Sequence, residues 1–363
     1  MKTCIRDAAL AVAALSTAVA LAACGQDGGG GGGAEGAAQI GMLLPDDTTA
    51  RWETQDMPLL EKEVKELCGD CTIEHANAKG DVATQQNQVE SMIIKGVDAI
   101  VLVAVDAASL GAAVTRADQA GIPVIAYDRL AEGPISGYVS FDGEEVGELQ
   151  GMALLQAMGP RADGGQIVMM NGDPTDPNAV SFKKGALSVL QDRVKIGKLY
   201  DTPAWRAETA HMNMSSSLSA LGAENIHGIY AANDGLAAGS ISALKANKVS
   251  PLPPVTGQDA ELGALRRIVG GEQYMTVYKP FGPEASAGAA MALAAARGES
   301  LDNVATGQVR ASTGKLVPAV LLTPVSVTVS NIDDTLVKDG VYTVQQICTP
   351  QLRAACDRAG LTG

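Results

Sequence analysis

The sequence predicts an α/β protein of two doubly wound, Rossmann-like lobes, and three observations carry that reading. Short β-branched runs alternate with segments of helical periodicity along nearly the whole chain. Several runs are too apolar to have a wet face, as strands of a parallel sheet covered by helices on both sides are. About 325 residues follow a glycine tract at Gly28–Gly33, enough for two domains with cores of their own.

Taken in order, strands are expected at Gln39–Leu44, Cys71–His75, Ala99–Ala104, Pro123–Tyr127, Gln166–Met170, Ile226–Ala231, Pro254–Gly257 and Met275–Tyr278. Between them, apolar residues recur at three- and four-residue spacing in Met57–Leu67, Val82–Lys95, Leu110–Ala120, Glu144–Met158, Ala210–Leu221, Leu236–Asn247 and Glu261–Val269, which predicts helices. With 3 Phe, 7 Tyr and 2 Trp, the cores must be filled by Ala, Val, Ile, Leu and Met. Any tryptophan placed in a polar loop is then conspicuous.

The first residues read as a targeting segment. Lys2 and Arg6 precede an apolar run from Ala8 to Ala22, and Leu21-Ala22-Ala23-Cys24 closes it. That run is shorter than the roughly 20 residues a membrane-spanning helix needs. Leu-Ala-Ala-Cys resembles the lipobox of bacterial lipoproteins, which implies acylation of Cys24, cleavage after residue 23 and tethering outside the cell membrane. The glycine-rich stretch 24–37 is a flexible tether and lacks the Lys-Ser/Thr of a phosphate loop.

Loss of residues 1–23 removes Lys2, Arg6 and Asp7, a net +1, so the formal charge passes from −14 to −15. Such an acidic chain does not favour nucleic acid or anionic lipid. Cys4 falls in the signal, and Cys68, Cys71, Cys348 and Cys356 remain, an even number that suggests the local disulfides Cys68–Cys71 and Cys348–Cys356, although sequence does not fix the pairing. Catalytic motifs are lacking. His75, His211 and His227 have no metal-like spacing, and no Gly-x-Ser-x-Gly, HExxH or phosphate loop occurs. No metal or cofactor is expected, and an enzyme is not.

Polar residues instead gather where strands end, which in doubly wound folds is where ligands bind. Leu43-Leu44 leads to Asp46 and Asp47 and then Arg51-Trp52; Tyr127 leads to Asp128-Arg129; Met170 to Asn171, Asp173 and Asn178. Ala232 is followed by Asn233-Asp234, Gly257 by Gln258-Asp259, and Tyr278 by Lys279. A lone Asp after a strand often only caps the next helix, a reading open for Asp234, and Asp128-Arg129 could close a loop as a local pair. Recurrence at six strand ends favours joint binding. Carboxylates, amides and cations bind hydroxyls, and the indoles of Trp52 and Trp205 suit the C–H face of a sugar ring.

At these residues the chain resembles the type I periplasmic sugar-binding proteins of ABC transporters, in particular the branch with xylose-binding and multiple-sugar-binding members. The resemblance rests on Arg51-Trp52, Gln88–Asp98, Ala126-Tyr-Asp-Arg129, Ser140–Asp142 with Val146–Gln150, Gly257-Gln-Asp-Ala260, Thr276–Pro280 and Leu322-Thr-Pro324, and spans about residues 38–345. It implies a periplasmic-binding-protein type I fold with three hinge crossings. The N-terminal lobe would hold 38–140 and 279–322, and the C-terminal lobe 141–278 and 323–345, with 346–363 as a C-terminal tail. It further implies that Arg51, Trp52, Asp128, Arg129, Asn178, Trp205, Asn233, Asp234, Asp259 and Lys279 hold a monosaccharide, D-xylose or a related aldose, for delivery to an ABC permease in the cytoplasmic membrane by a monomeric receptor. One departure stands out: Asp176-Pro177-Asn178-Ala179 replaces the usual Asp-Asn-Asn-Ala, and proline restricts the residue before it to extended backbone. A sensor presenting its loaded form to a chemoreceptor or histidine kinase would share the cleft. A sugar-responsive repressor shares the fold, but the signal and the absence of a helix-turn-helix argue against it.

Overall fold

The computed structural model describes residues 37–362. The expected signal peptide, Cys24 and all but the last residue of the tether lie outside the described residues.

The first stretch runs β1 (Gln39–Leu44), α1 (Met57–Leu67), β2 (Thr72–Asn77), α2 (Val82–Lys95), β3 (Ala99–Leu102), α3 (Gly111–Gln119), β4 (Val124–Tyr127) and β5 (Gly137–Phe141). The chain continues through α4 (Gly143–Met158), β6 (Gln166–Asn171), α5 (Pro177–Leu190), β7 (Lys195–Asp201), α6 (Ala207–Leu221), β8 (Gly228–Ala231), α7 (Asp234–Ala246), α8 (Leu262–Val269) and β9 (Met275–Tyr278). It ends with α9 (Phe281–Ala296), β10 (Gly307–Arg310), β11 (Leu316–Leu322), β12 (Val325–Thr328), α10 (Val344–Ile347) and α11 (Arg353–Ala359).

One sheet of seven strands has the order β10-β11-β5-β4-β3-β1-β2, parallel except for β10. Its central strands are buried along their whole length, and α9 and α1 close one face while α2 and α3 close the other. The second sheet, β7-β6-β8, is parallel, and single parallel bridges at Ile229–Val255 and Gln258–Val277 continue it to β9, which pairs antiparallel with β12. Both sheets are thus doubly wound. The chain passes between them three times, after β5, after β9 and after β11.

Local chemistry explains where helices start. Asp81 accepts from the Thr84 N–H at 2.6 Å ahead of α2, and Asp142 accepts from Glu144 and Glu145 ahead of α4. Asn233 does the same for α7 by accepting from Leu236 at 2.9 Å.

Three departures from the sequence reading have physical causes. The expected strand Pro254–Gly257 contributes only the bridge through Val255, because Pro253 and Pro254 have no N–H to donate. Edge strand β7 is half-exposed along its length and carries no apolar run to reveal it. Helix α9 is nearly all Ala, Gly and other small residues and shows no polar stripe because nine of its residues are buried.

The segment 346–363, expected as a tail, packs through its described residues: Ile347, Cys356 and Leu361 join Leu265 and Ile268 of α8 in one core, and Arg266 donates to the Gln346 carbonyl at 2.6 Å. Cys348 is bonded to Cys356, and Cys68 to Cys71. Among the described residues, no helix is long and apolar enough to cross a membrane, and no group of three or more His, Cys, Asp or Glu could hold a metal.

Candidate binding cleft

The carboxyl ends of both sheets face each other across a small cavity. Thr49, Trp52, Asp128, Arg129, Asp176, Asn178, Phe182, Trp205, Asn233, Gln258, Asp259 and Lys279 line it. Its free volume is about 20 Å³, room for roughly one water.

Asp128 is the hub. Its backbone is left-handed (φ 56°), and its carboxylate accepts from Arg51 Nη1 at 3.0 Å, Lys279 Nζ at 2.8 Å and Asn178 Nδ2 at 2.8 Å. Burial would raise this carboxyl, but Lys279, Arg51 and Arg129 outweigh it and bring it down to about 2. Asp128 is therefore charged at any physiological pH. Three of its partners come from different parts of the chain: Arg51 precedes α1, Asn178 opens α5, and Lys279 ends a crossing.

Arg51 lies behind the lining, not in it. Its guanidinium forms a two-bond fork with Asp56 (2.6 and 2.7 Å), a contact to Glu284 at 2.5 Å and the bond to Asp128. Tyr127 adds a hydroxyl donor to Asp56 at 2.9 Å. Burial pushes the Glu284 carboxyl up to about 8, with Asp128 and Asp56 adding to the rise and Arg51 opposing it. Glu284 therefore carries a proton at neutral pH.

The aromatic faces are held in place by charge and by space. Trp52 has the Arg51 guanidinium at 4.6 Å from its ring centre and that of Arg129 at 5.5 Å, so its indole is fixed by two cations. Trp205 donates from Nε1 to Asp176 at 3.2 Å, and its ring packs against Gly172, where a Cβ would fall 2.0 Å from the ring edge. Only glycine permits that approach. Arg129 donates to the Ala104 carbonyl at 3.1 Å and reaches Asp46 at 3.4 Å, while its Nε sits 2.7 Å from Asp176 without being aligned to donate to it.

Left-handed backbone recurs at the lining: besides Asp128, Trp205 (φ 53°) and Asp259 (φ 90°) adopt it. Each such non-glycine residue costs about 1–3 kcal/mol, strain that concentrates at ligand clamps. Trp52 Nε1 and Gln258 Oε1 are buried here with no protein partner. Polar atoms in that condition fit a ligand that supplies the missing bond.

Of the residues singled out from sequence, Trp52, Asp128, Arg129, Asn178, Trp205, Asn233, Asp259 and Lys279 fall in this lining. Pro177 occupies the first turn of α5, where its missing N–H costs nothing, and Asp176 caps the helix by accepting from Asn178 N at 2.9 Å. Asp234 does not reach the cleft. It is fully buried and accepts from Gln273 Nε2 at 2.7 Å, Thr276 Oγ1 at 2.9 Å and the Glu261 N–H at 2.9 Å, so its carboxylate is occupied inside the second lobe. Sequence reasoning passed over Phe182, whose place one turn beyond Asn178 on α5 was the available signal.

Comparison with known proteins matches this architecture. The model of the periplasmic binding protein domain family matches residues 40–300, and the chain belongs to that family. It is 36% identical over 312 residues to the D-xylose-binding periplasmic protein of Escherichia coli strain K12, covering 84% of this chain and 91% of that protein. The D-xylose-binding periplasmic protein of Haemophilus influenzae is 35% identical over 316 residues, covering 85% and 92%. Among solved structures, an ABC transporter solute-binding protein from Clostridium phytofermentans with bound β-D-glucose superposes with a TM-score of 0.79 at 29% identity, covering 85% of this chain and 99% of that one. These relatives are binding proteins, and this chain is not an enzyme.

Proposed function

We propose that this protein is the lipid-anchored, extracytoplasmic sugar receptor of an ABC importer, holding a monosaccharide, D-xylose or a related aldose, between its lobes. The single observation that carries the reading is the cleft's composition: three aromatic faces, Trp52, Phe182 and Trp205, beside fixed carboxylates, amides and cations, with Trp52 Nε1 and Gln258 Oε1 unpartnered. A sugar ring has the same two aspects, C–H faces and a rim of hydroxyls. The names of the relatives that cover most of the chain agree with it.

In this reading Asp128 and Asp259 accept from sugar hydroxyls, Arg129, Asn178, Asn233 and Lys279 donate to sugar oxygens, and the indoles cover the ring. Residues 38–140 with 279–322 swing against 141–278 with 323–345 about the three crossings. Sugar bridges both lobes only when they close, so it shifts the population toward closure by its differential affinity. The closed form would then be handed to the permease, and Cys24 would keep the receptor beside it.

The test is calorimetry and thermal shift with xylose, glucose, galactose, arabinose and ribose. At least one sugar should raise Tm, because a ligand that binds only the folded clamp stabilises it; no shift with any of them overturns the reading. Cys24→Ser should release the protein from the membrane fraction, and continued retention would refute the lipid anchor.

A further inference from the structure

Asp259 reaches the cleft from a turn that L-residues rarely adopt: its φ is 90° and that of Ala260 is 50°. Three successive backbone donors of the turn are nonetheless fixed. Asp259 N–H donates to the Val277 carbonyl at 2.9 Å, Ala260 N–H to Thr276 Oγ1 at 3.1 Å, and Glu261 N–H to Asp234 Oδ2 at 2.9 Å. The Thr276 hydroxyl donates to that same Asp234 oxygen at 2.9 Å, which leaves its lone pair directed at Ala260. Asp234 thus controls two successive peptide groups, one directly and one through Thr276.

The other Asp234 oxygen is held by Gln273 Nε2, and Asp234 N–H donates to the Gln258 carbonyl at 2.9 Å, so the residue is fixed at both backbone and side chain. A Cβ at Gly257 would lie 2.0 Å from Asp234 Oδ1, which shows how closely the turn is drawn onto the carboxylate. At the end of this arrangement, Asp259 Oδ1 stands 3.5 Å from Lys279 Nζ and 4.0 Å from Arg51 Nη1.

We propose that Asp234 and Thr276 are positioning residues that hold the 258–261 turn in its left-handed form and so aim the Asp259 carboxylate at the ligand. The proposal rests on the sugar-binding reading for its consequence in affinity, but not for the geometry of the turn. Neither side chain lies in the cleft lining, although Asp234 N–H holds the carbonyl of Gln258, which does. Their effect on a sugar passes through the turn that carries Gln258 and Asp259.

The experiment measures sugar affinity by calorimetry together with amide hydrogen exchange of the peptide covering 257–262, for wild type, Asp234→Asn, Thr276→Val and Thr276→Ser. Asp234→Asn and Thr276→Val should weaken binding tenfold or more and speed exchange of this peptide tenfold or more, with exchange in the first lobe unchanged. Thr276→Ser keeps the hydroxyl and should stay within threefold of wild type in both. Unchanged exchange at 257–262 in Thr276→Val overturns the proposal whatever the affinity does, and so does a rise spread evenly over the second lobe. If Asp234→Asn does not fold, the two Thr276 variants decide. If wild type binds none of the sugars, the functional reading fails, while the exchange data still decide the role of Asp234 and Thr276.

Discussion

Asp128 and Asp234 stand in nearly the same sequence context and do opposite things. Each follows a short, fully buried strand, β4 or β8, at the end of a sheet that faces the cleft. Asp128 leaves β4 in a left-handed conformation that turns its carboxylate into the cavity, where cations and an amide from three separate segments meet it. Asp234 lies two residues further beyond its strand, inside the first turn of α7, and its oxygens are taken by neighbours of the same lobe. Asp128 takes an amide from the other lobe, Asn178, beside two cations of its own, whereas every partner of the Asp234 carboxylate is of its own lobe.

The sharpest way to break this contrast is Asp128→Ala. It strips Arg51 and Lys279 of a buried counter-charge and removes the proposed hydroxyl acceptor, so sugar affinity should fall about 100-fold or more, near 3 kcal/mol. Calorimetry on the folded variant checks this, and a loss under tenfold would mean that Asp128 is as local in effect as Asp234.

Trp205→Ala comes next. Removing an aromatic face from a binding site costs about 2 kcal/mol, some thirtyfold in affinity, and intrinsic fluorescence would lose one of its two cleft reporters. An unchanged dissociation constant would place the indole outside the ligand's reach.

Glu284→Gln sharpens the first half of the comparison. Because the folded-state carboxyl is raised to about 8, the native protein keeps this proton while the unfolded chain loses it above the ordinary carboxyl range. Stability should therefore decline as pH rises from about 4.5 to about 8 in the wild type, and Glu284→Gln should flatten that decline. Thermal melts across this range read the effect; parallel curves for the two proteins would contradict a protonated Glu284. The smallest effect belongs to a control. Glu61 pairs with Lys65 on the exposed face of α1 at 2.7 Å, and Glu61→Ala should cost less than about 0.5 kcal/mol, against the large cost of unpairing Asp128.

The contrast also marks what could be read in advance. Alternation of buried strands and amphipathic helices made the α/β class and most of the first eleven elements legible, because a strand such as Val124–Tyr127, buried on both faces, must be apolar throughout. One edge of each sheet was not legible: β7 and β10 have wet faces and little apolar pattern. The rule that ligands sit beyond strand ends found Asp128, Asn233 and Asp259 together with Asp234. Sequence cannot separate them, since the difference lies in the backbone angle at Asp128 and in the distant residues, Gln273 and Thr276, that fold back onto Asp234. Arg51 was legible as a charge near the site but not as a residue one layer back, because Glu284 reaches it only through the packing of α1 against α9.

The indole of Trp205 rests on the bare backbone of Gly172, so the wall of the cleft has a thickness set by one missing side chain. A methyl group at 172 would collide with the indole, so the ring would have to move. Position 172 is then a gauge for ligand size that touches none of the groups that would bond a sugar's oxygens. The charged hub around Asp128 is left as it stands by such a change.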